Sequence, residues 1–134
     1  MEMKELIFDV FQLKDLILDL FQSECKLFMT TDSSRLIKQK CNNKCLSPDE
    51  RQQLNREVRY VFTRLIKTMK EACPSLTAED ITFCCLAKLG LDNLLISHCM
   101  GDVNKQPVNQ RKYRIKKKME ESNCIFLFEL IFST

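Results

Sequence analysis

Apolar residues recur at helical spacing after a clear helix-start signal near the middle of the chain. The sequence Ser-Pro-Asp-Glu at positions 47–50 supplies a hydroxyl acceptor, a proline suited to a first helical turn and a glutamate that completes a capping box. The apolar residues that follow are Leu54, Val58, Val61, Phe62, Leu65, Ile66 and Met69. This pattern predicts one long amphipathic helix that ends near Ala72.

Turn-forming residues are too scarce for most β architectures. The 134 residues include only two Gly and three Pro, whereas 45% of them are hydrophobic and nine are Phe. The apolar content is enough to offset the entropy of ordering the chain, but a sandwich of short strands would need more Gly and Pro. We therefore predict an all-α fold, with a helical N-terminal unit at residues 1–73 that serves for packing or dimerisation.

Pro74 ends the first set of helix signals, and a second set follows the break at Cys73 to Ser75. Thr77 and Asp80 form a second capping box, which predicts a helix that ends at Gly90, a residue suited to a left-handed C-terminal cap. This break therefore predicts the start of a second unit, at residues 74–134.

Two further caps predict the helices of that unit. Asp92 caps a short helix that reaches Cys99 or Met100, and Asn104 caps a helix running to about Glu121. A final apolar helix follows, Cys124 to Phe132, which is too short to span a membrane and too apolar to stay in water. We expect it to pack against the N-terminal helices or a second subunit, and we favour a homodimer.

The N-terminal segment from Leu6 to Phe21 carries one narrow polar stripe on an otherwise apolar helix. Its members are Asp9, Gln12, Asp15 and Asp19, with Gln22 beyond. So wide an apolar arc must be covered, either by the core of the domain or by its copy in a second subunit. The acids interrupt the apolar run well short of the ~20 residues that span a bilayer, and no signal-peptide pattern is present. We expect a cytoplasmic protein with no membrane partner.

The eight cysteines and the single histidine do not form a catalytic set. Cys41 and Cys45 have a zinc-ligand separation, but a structural zinc site normally has two such tight pairs. Most of the thiols are expected to be small buried groups. His98 has no serine, cysteine and carboxylate pattern around it, so a satisfied or solvent-facing imidazole is expected. These observations predict no enzyme activity, no metal and no cofactor.

A run of cations distinguishes the second half. Val103 to Met119 contains seven of the 21 basic residues and no acid, which leaves 14 basic against 18 acidic residues elsewhere. At about 100° per residue, Ile115 and Met119 share one side of a helix with Val108. The opposite side carries Gln106, Gln110, Tyr113 and Lys117. The three apolar residues therefore predict the buried side.

Cations this close together repel one another, and a polyanionic partner relieves that repulsion. The pattern favours nucleic acid over a helix that merely faces solvent or another protein. Amides can contact base edges, and Arg and Lys can contact phosphates. The predicted DNA contacts are Lys105, Gln106, Asn109, Gln110, Arg111, Lys112, Tyr113, Arg114, Lys116 and Lys117.

The segment Leu76 to Met119 resembles the LuxR/NarL-type four-helix DNA-binding domain. Leu76 and Thr77 match the opening pair of that family, Gly90 matches the end of its first helix, and Ile96 matches the anchor of its scaffold helix. The recognition helix of the family is matched by Val103, Asn104, Val108, Ile115 and Met119. Leu95 stands where a Glu is usual, and Pro107 stands where a Thr is usual, which removes one phosphate contact.

The resemblance implies a bacterial transcription regulator. Its helix-turn-helix domain would occupy residues 74–134, and its recognition helix, about 104–121, would bind duplex DNA. Two alternatives stay open: an adaptor that keeps this fold and binds an acidic protein through the basic helix, and a sigma-factor-like element that docks on RNA polymerase. Residues 1–73 resemble no sensor domain that would identify an input signal.

Overall fold

Eight α-helices form the secondary structure of residues 3–102 and 106–132, which are the residues that the computed structural model describes, with side chains from Lys14 onward. No strand occurs in these ranges, so the predicted all-α fold is confirmed. The helices are α1 (Met3–Phe28), α2 (Asp32–Lys40), α3 (Pro48–Val61), α4 (Thr63–Ala72), α5 (Ala78–Lys88), α6 (Asn93–Cys99), α7 (Gln106–Glu121) and α8 (Ile125–Phe132).

Helix α5 lies at the centre of the fold. All residues from Asp80 to Leu86 are buried, and α5 contacts α3, α4, α6 and α8. A helix that is buried on every side needs neighbours all around it. Buried residues from both sides of the turn at Cys73 to Ser75 belong to one hydrophobic cluster. The division into units at that turn stays a prediction.

The predicted starts of α3 and α5 and the predicted end of α5 are confirmed. Ser47 Oγ accepts from the backbone N–H of Glu50 at 3.2 Å, and Thr77 Oγ1 accepts from that of Asp80 at 3.1 Å; both capping boxes are complete. Gly90 has φ +80°, the left-handed conformation that a glycine adopts at no steric cost. These caps are short-range features, which is why the sequence shows them.

Of the two remaining predicted caps, Asp92 and Asn104, the structure describes only Asp92. Asp92 Oδ1 accepts from the backbone N–H of Leu95 at 2.9 Å, which confirms Asp92 as the cap of α6. The predicted cap Asn104 lies outside the described residues, as do Val103 and Lys105.

The prediction of one long helix from position 48 to Ala72 is wrong, because the helix is interrupted at Phe62. That residue has φ −87° and ψ +44°, and α3 ends just before it. The buried carboxylate of Glu24 accepts from the backbone N–H groups of Arg64 at 2.9 Å and Leu65 at 3.0 Å. An acceptor from α1 thus satisfies first-turn donors of α4, which a continuous helix would have bonded internally.

Helix α1 is longer than the predicted Leu6 to Phe21. It continues to Phe28, because Phe21 and Phe28 both enter the core, and the rings of Phe28 and Phe62 lie 5.6 Å apart. The predicted polar stripe is exposed at Asp15, Asp19 and Gln22, whereas the side chains of Asp9 and Gln12 lie outside the described set.

The last helix, α8, buries Leu127 and Ile131 and packs against α5 and α7. Lys88 at the end of α5 donates to the carbonyl oxygen of Leu130 at 2.8 Å. Within the chain, the main contacts of α8 are therefore with α5 and α7 and not with the N-terminal helices, and the expected contact with a second subunit stays a prediction. Within the described ranges, no helix combines the length and apolarity that crossing a bilayer requires.

Replacing Glu24 by Ala should destabilise the fold by about 1–3 kcal/mol, because two backbone donors at the start of α4 lose their buried acceptor. The free energy of unfolding in urea measures this loss. Glu71→Ala, at an exposed position on α4, is the matched control and should have little effect. Equal losses in the two variants would contradict the capping role.

Candidate nucleic-acid interface

Helix α7 turns one apolar edge inward. Val108, Ile115 and Met119 are 3%, 0% and 0% exposed, which confirms the buried side that the spacing predicts. The helix ends at a left-handed turn, where Asn123 has φ +57° and the N–H of Cys124 donates to the carbonyl oxygen of Met119 at 2.9 Å. The rotation of α7 about its own axis is therefore fixed by packing.

Two cations of α7 bind acids on α5. Arg111 donates to Asp80 Oδ1 at 2.9 Å and to Glu79 Oε2 at 3.1 Å, and Lys118 donates to Asp80 Oδ2 at 2.7 Å. The Asp80 side chain is only 5% exposed, whereas that of Glu79 is 74% exposed. Asp80 thus joins the first turn of α5 to two separate turns of α7.

The ionisation of Asp80 is set by opposing effects. Burial by itself raises the pKa of this carboxyl group, but the hydrogen bond from Lys118 and the backbone N–H of Thr77 outweigh burial and hold the pKa below its ordinary value. Asp80 is therefore a carboxylate at neutral pH, with a backbone donor and two cations around it.

The other flank of α7 faces the rings of α8. Lys112 Nζ lies 5.2 Å from the centroid of Phe132, and Lys116 Nζ lies 5.9 Å from that of Phe128. Cations above aromatic rings are held electrostatically without losing contact with water. Both lysines remain exposed.

Between these flanks lies the outward face of α7, which we define as six exposed residues. They are Gln106, Asn109, Gln110, Tyr113, Arg114 and Lys117. Lys117 Nζ is 5.3 Å from the centroid of the Tyr113 ring. Asn93, at the start of α6, donates to Asn109 Oδ1 at 3.2 Å, so a side-chain contact links α6 to the first turns of α7.

The predicted DNA contacts are not all on the exposed surface of α7. The six residues of the outward face, with Lys112 and Lys116 beside them, share the exposed surface of α7, and Lys105 lies outside the described residues. Arg111 is instead bound to α5, so acids outside the basic run relieve part of the repulsion within it. The relieving acids stand more than thirty residues earlier, where spacing within α7 gives no signal.

His98 and six of the eight cysteines are buried. His98 is buried and its Nδ1 lies 2.5 Å from the carbonyl oxygen of Cys41, so the expected satisfied imidazole is confirmed. Cys41 and Cys99 are buried with their sulfur atoms 3.8 Å apart. Burial raises the pKa of both Cys84 and Cys85 above the ordinary value, so these thiols stay protonated. Among the side chains that the structure describes, those of residues 14–102 and 106–132, no three from His, Cys, Asp or Glu are grouped to hold a metal.

Comparison of the chain with protein-family models, with curated proteins and with solved structures gave no match.

Replacing Asp80 by Asn should cost about 2–4 kcal/mol of unfolding free energy at pH 7, because two cations lose a buried charged partner. The pKa of Asp80 is lowered on folding. The contribution of Asp80 to the free energy of unfolding is therefore complete at pH values above the ordinary Asp pKa of about 3.9. It disappears as the pH falls through the lower pKa that Asp80 has in the folded protein.

Urea unfolding of the parent and Asp80→Asn proteins between pH 7 and pH 3 measures this difference. Glu79→Gln, which alters the exposed partner of Arg111, is the control and should cost less than about 1 kcal/mol. A difference between parent and Asp80→Asn that stays constant down to pH 3 would contradict the assigned charge of Asp80.

Proposed function

We propose that this chain is a bacterial transcription regulator that binds duplex DNA. In this proposal α6, the turn at Gly101 and α7 act as a helix-turn-helix, with α7 as the recognition helix and α5 and α8 as its support. The N-terminal helices form the unit that precedes the DNA-binding domain. The proposal rests on the resemblance of residues 76–119 to LuxR/NarL-type domains and on the surface of α7.

One observation carries the proposal: the exposed surface of α7 pairs amides with cations and has no acid before Glu120. Two of its cations, Arg111 and Lys118, are already neutralised by α5. The remaining ones, Lys112, Arg114, Lys116 and Lys117, all reach solvent. A helix selected only for solubility commonly mixes both signs, since i,i+4 pairs of opposite charge stabilise it.

The positions of the amides agree with the same role. Gln106, Asn109 and Gln110 occupy the N-terminal part of α7, which is the part that enters the major groove in helix-turn-helix proteins. Asn and Gln can form paired hydrogen bonds with adenine, whereas Arg and Lys on the following turns suit phosphates.

Each phosphate contact should contribute about −0.9 to the slope of log K against log salt concentration. Arg114→Gln and Lys117→Gln should therefore each flatten this slope by about 0.9 and weaken binding to all duplexes alike. Arg111→Gln should flatten it less, because that guanidinium already binds Glu79 and Asp80. A salt series of duplex binding measures all three.

The control for this series is Lys70→Gln, which removes an exposed cation that belongs to α4 and not to α7. It should leave the slope unchanged. Unchanged slopes for Arg114→Gln and Lys117→Gln would overturn the assignment of α7 to phosphates. Weak, salt-insensitive duplex binding by the parent chain would favour the adaptor or RNA polymerase alternatives.

A second prediction distinguishes sequence-specific contacts with DNA bases from contacts with the DNA backbone. Asn109→Ala and Gln110→Ala should each cost about 1–3 kcal/mol on a duplex selected from a random pool, and should leave affinity for random duplex and the salt slope nearly intact. Neither side chain is buried, so the fold should survive. Equal losses of affinity for selected and random duplexes would mean that the outward face contacts only the DNA backbone.

A further inference from the structure

A polar cleft lies between α3, α5, α6 and α7, beside the turn that contains Gly101. Its volume is about 310 Å³, at the lower end of the range for small-molecule sites. Its charged lining residues are Arg51, Glu79, Asp102 and Arg111. A ligand with a net charge of either sign would therefore meet as many like charges as opposite ones.

Only one cation and one acid of the cleft are paired with each other. Arg111 donates to Glu79 Oε2 at 3.1 Å. Arg51 and Asp102 form an ion pair neither with each other nor with another residue that the structure describes. Arg51 donates to the carbonyl oxygen of Leu46 at 2.7 Å, which uses only part of its N–H groups. The cleft therefore has one unpaired cation and one unpaired anion.

Gly101 brings these two unpaired charges to the same side of the cleft. It directly precedes Asp102 and packs against the Arg51 guanidinium, because a Cβ atom at Gly101 would lie 2.8 Å from Arg51 Nη1. Gly101 also has φ +87°, the left-handed conformation that favours glycine. The backbone of this turn thus places a carboxylate next to a guanidinium without an ion pair between them.

A free α-amino acid has the charges that this arrangement lacks. Its carboxylate can accept from Arg51, and its ammonium group can donate to Asp102, in two charge-assisted hydrogen bonds. A simple anion would leave Asp102 unpaired, and a simple cation would leave Arg51 unpaired. The lining also includes Leu54 and Met100, which suit an apolar side chain.

We propose that this cleft binds a free α-amino acid with an apolar side chain, with its carboxylate on Arg51 and its ammonium group on Asp102. The site does not depend on DNA binding, and it can be tested in the absence of nucleic acid.

The test follows the amide NMR signals of the labelled full chain during titration with L-valine, L-leucine or L-methionine. At least one of these probes should shift the signals in a saturable way. L-Aspartate and L-lysine carry an additional charge into the apolar part of the lining and should bind at least about tenfold more weakly. The proposal is overturned if none of the three apolar probes binds at ~10 mM, or if aspartate or lysine binds more tightly.

Two variants test the assigned contacts. Asp102→Asn and Arg51→Gln should each raise the dissociation constant of the tightest probe at least about tenfold, because each removes one charge-assisted hydrogen bond. Asp102 has no side-chain bond to a described residue, so Asp102→Asn should keep the fold and remains informative if Arg51→Gln is unstable. Asp49→Asn and Arg56→Gln are the matched controls, since they remove exposed charges of α3 outside the cleft.

The controls should bind the probe as the parent chain does. Equal dissociation constants for the parent chain and Asp102→Asn would contradict the ammonium contact. Because no DNA is present, none of these outcomes bears on the DNA-binding proposal, which the salt series tests separately.

Derivatives of the tightest probe test the two charges of the ligand itself. The N-acetyl derivative lacks the ammonium charge and the amide lacks the carboxylate, so each should bind at least about tenfold more weakly than the free amino acid. An N-acetyl derivative that binds as tightly as the free amino acid would indicate a simple anion site at Arg51. That result would overturn the assignment of an amino acid to the cleft.

Discussion

The carboxylate of Asp80 is the contact on which the position of α7 depends. It closes the capping box of α5 and binds Arg111 and Lys118, which lie two turns apart on α7. A central buried helix thereby holds the basic helix at two levels through one side chain. Together with the apolar edge at Val108 and Ile115, this contact fixes which face of α7 turns to solvent. Which cations of α7 are exposed therefore depends on these ion pairs with α5 as much as on the spacing of the basic residues along α7.

Glu24 plays a comparable part in the first half of the chain. A buried carboxylate is costly unless donors surround it, and the backbone N–H groups of Arg64 and Leu65 supply that environment. The break at Phe62 exposes these donors, so the break and the carboxylate stabilise each other. Both halves of the fold thus use an acid placed at a helix N-terminus, where the helix dipole favours negative charge.

Features that depend on neighbouring residues could be predicted from the sequence, and features that depend on distant ones could not. The caps at Ser47, Thr77 and Asp92 and the buried edge of α7 follow from spacings of three to seven residues. The break at Phe62 depends on Glu24, about forty residues earlier, and the pairing of Arg111 depends on acids more than thirty residues away. Such contacts are set by the packing of helices, which periodicity within one helix does not encode.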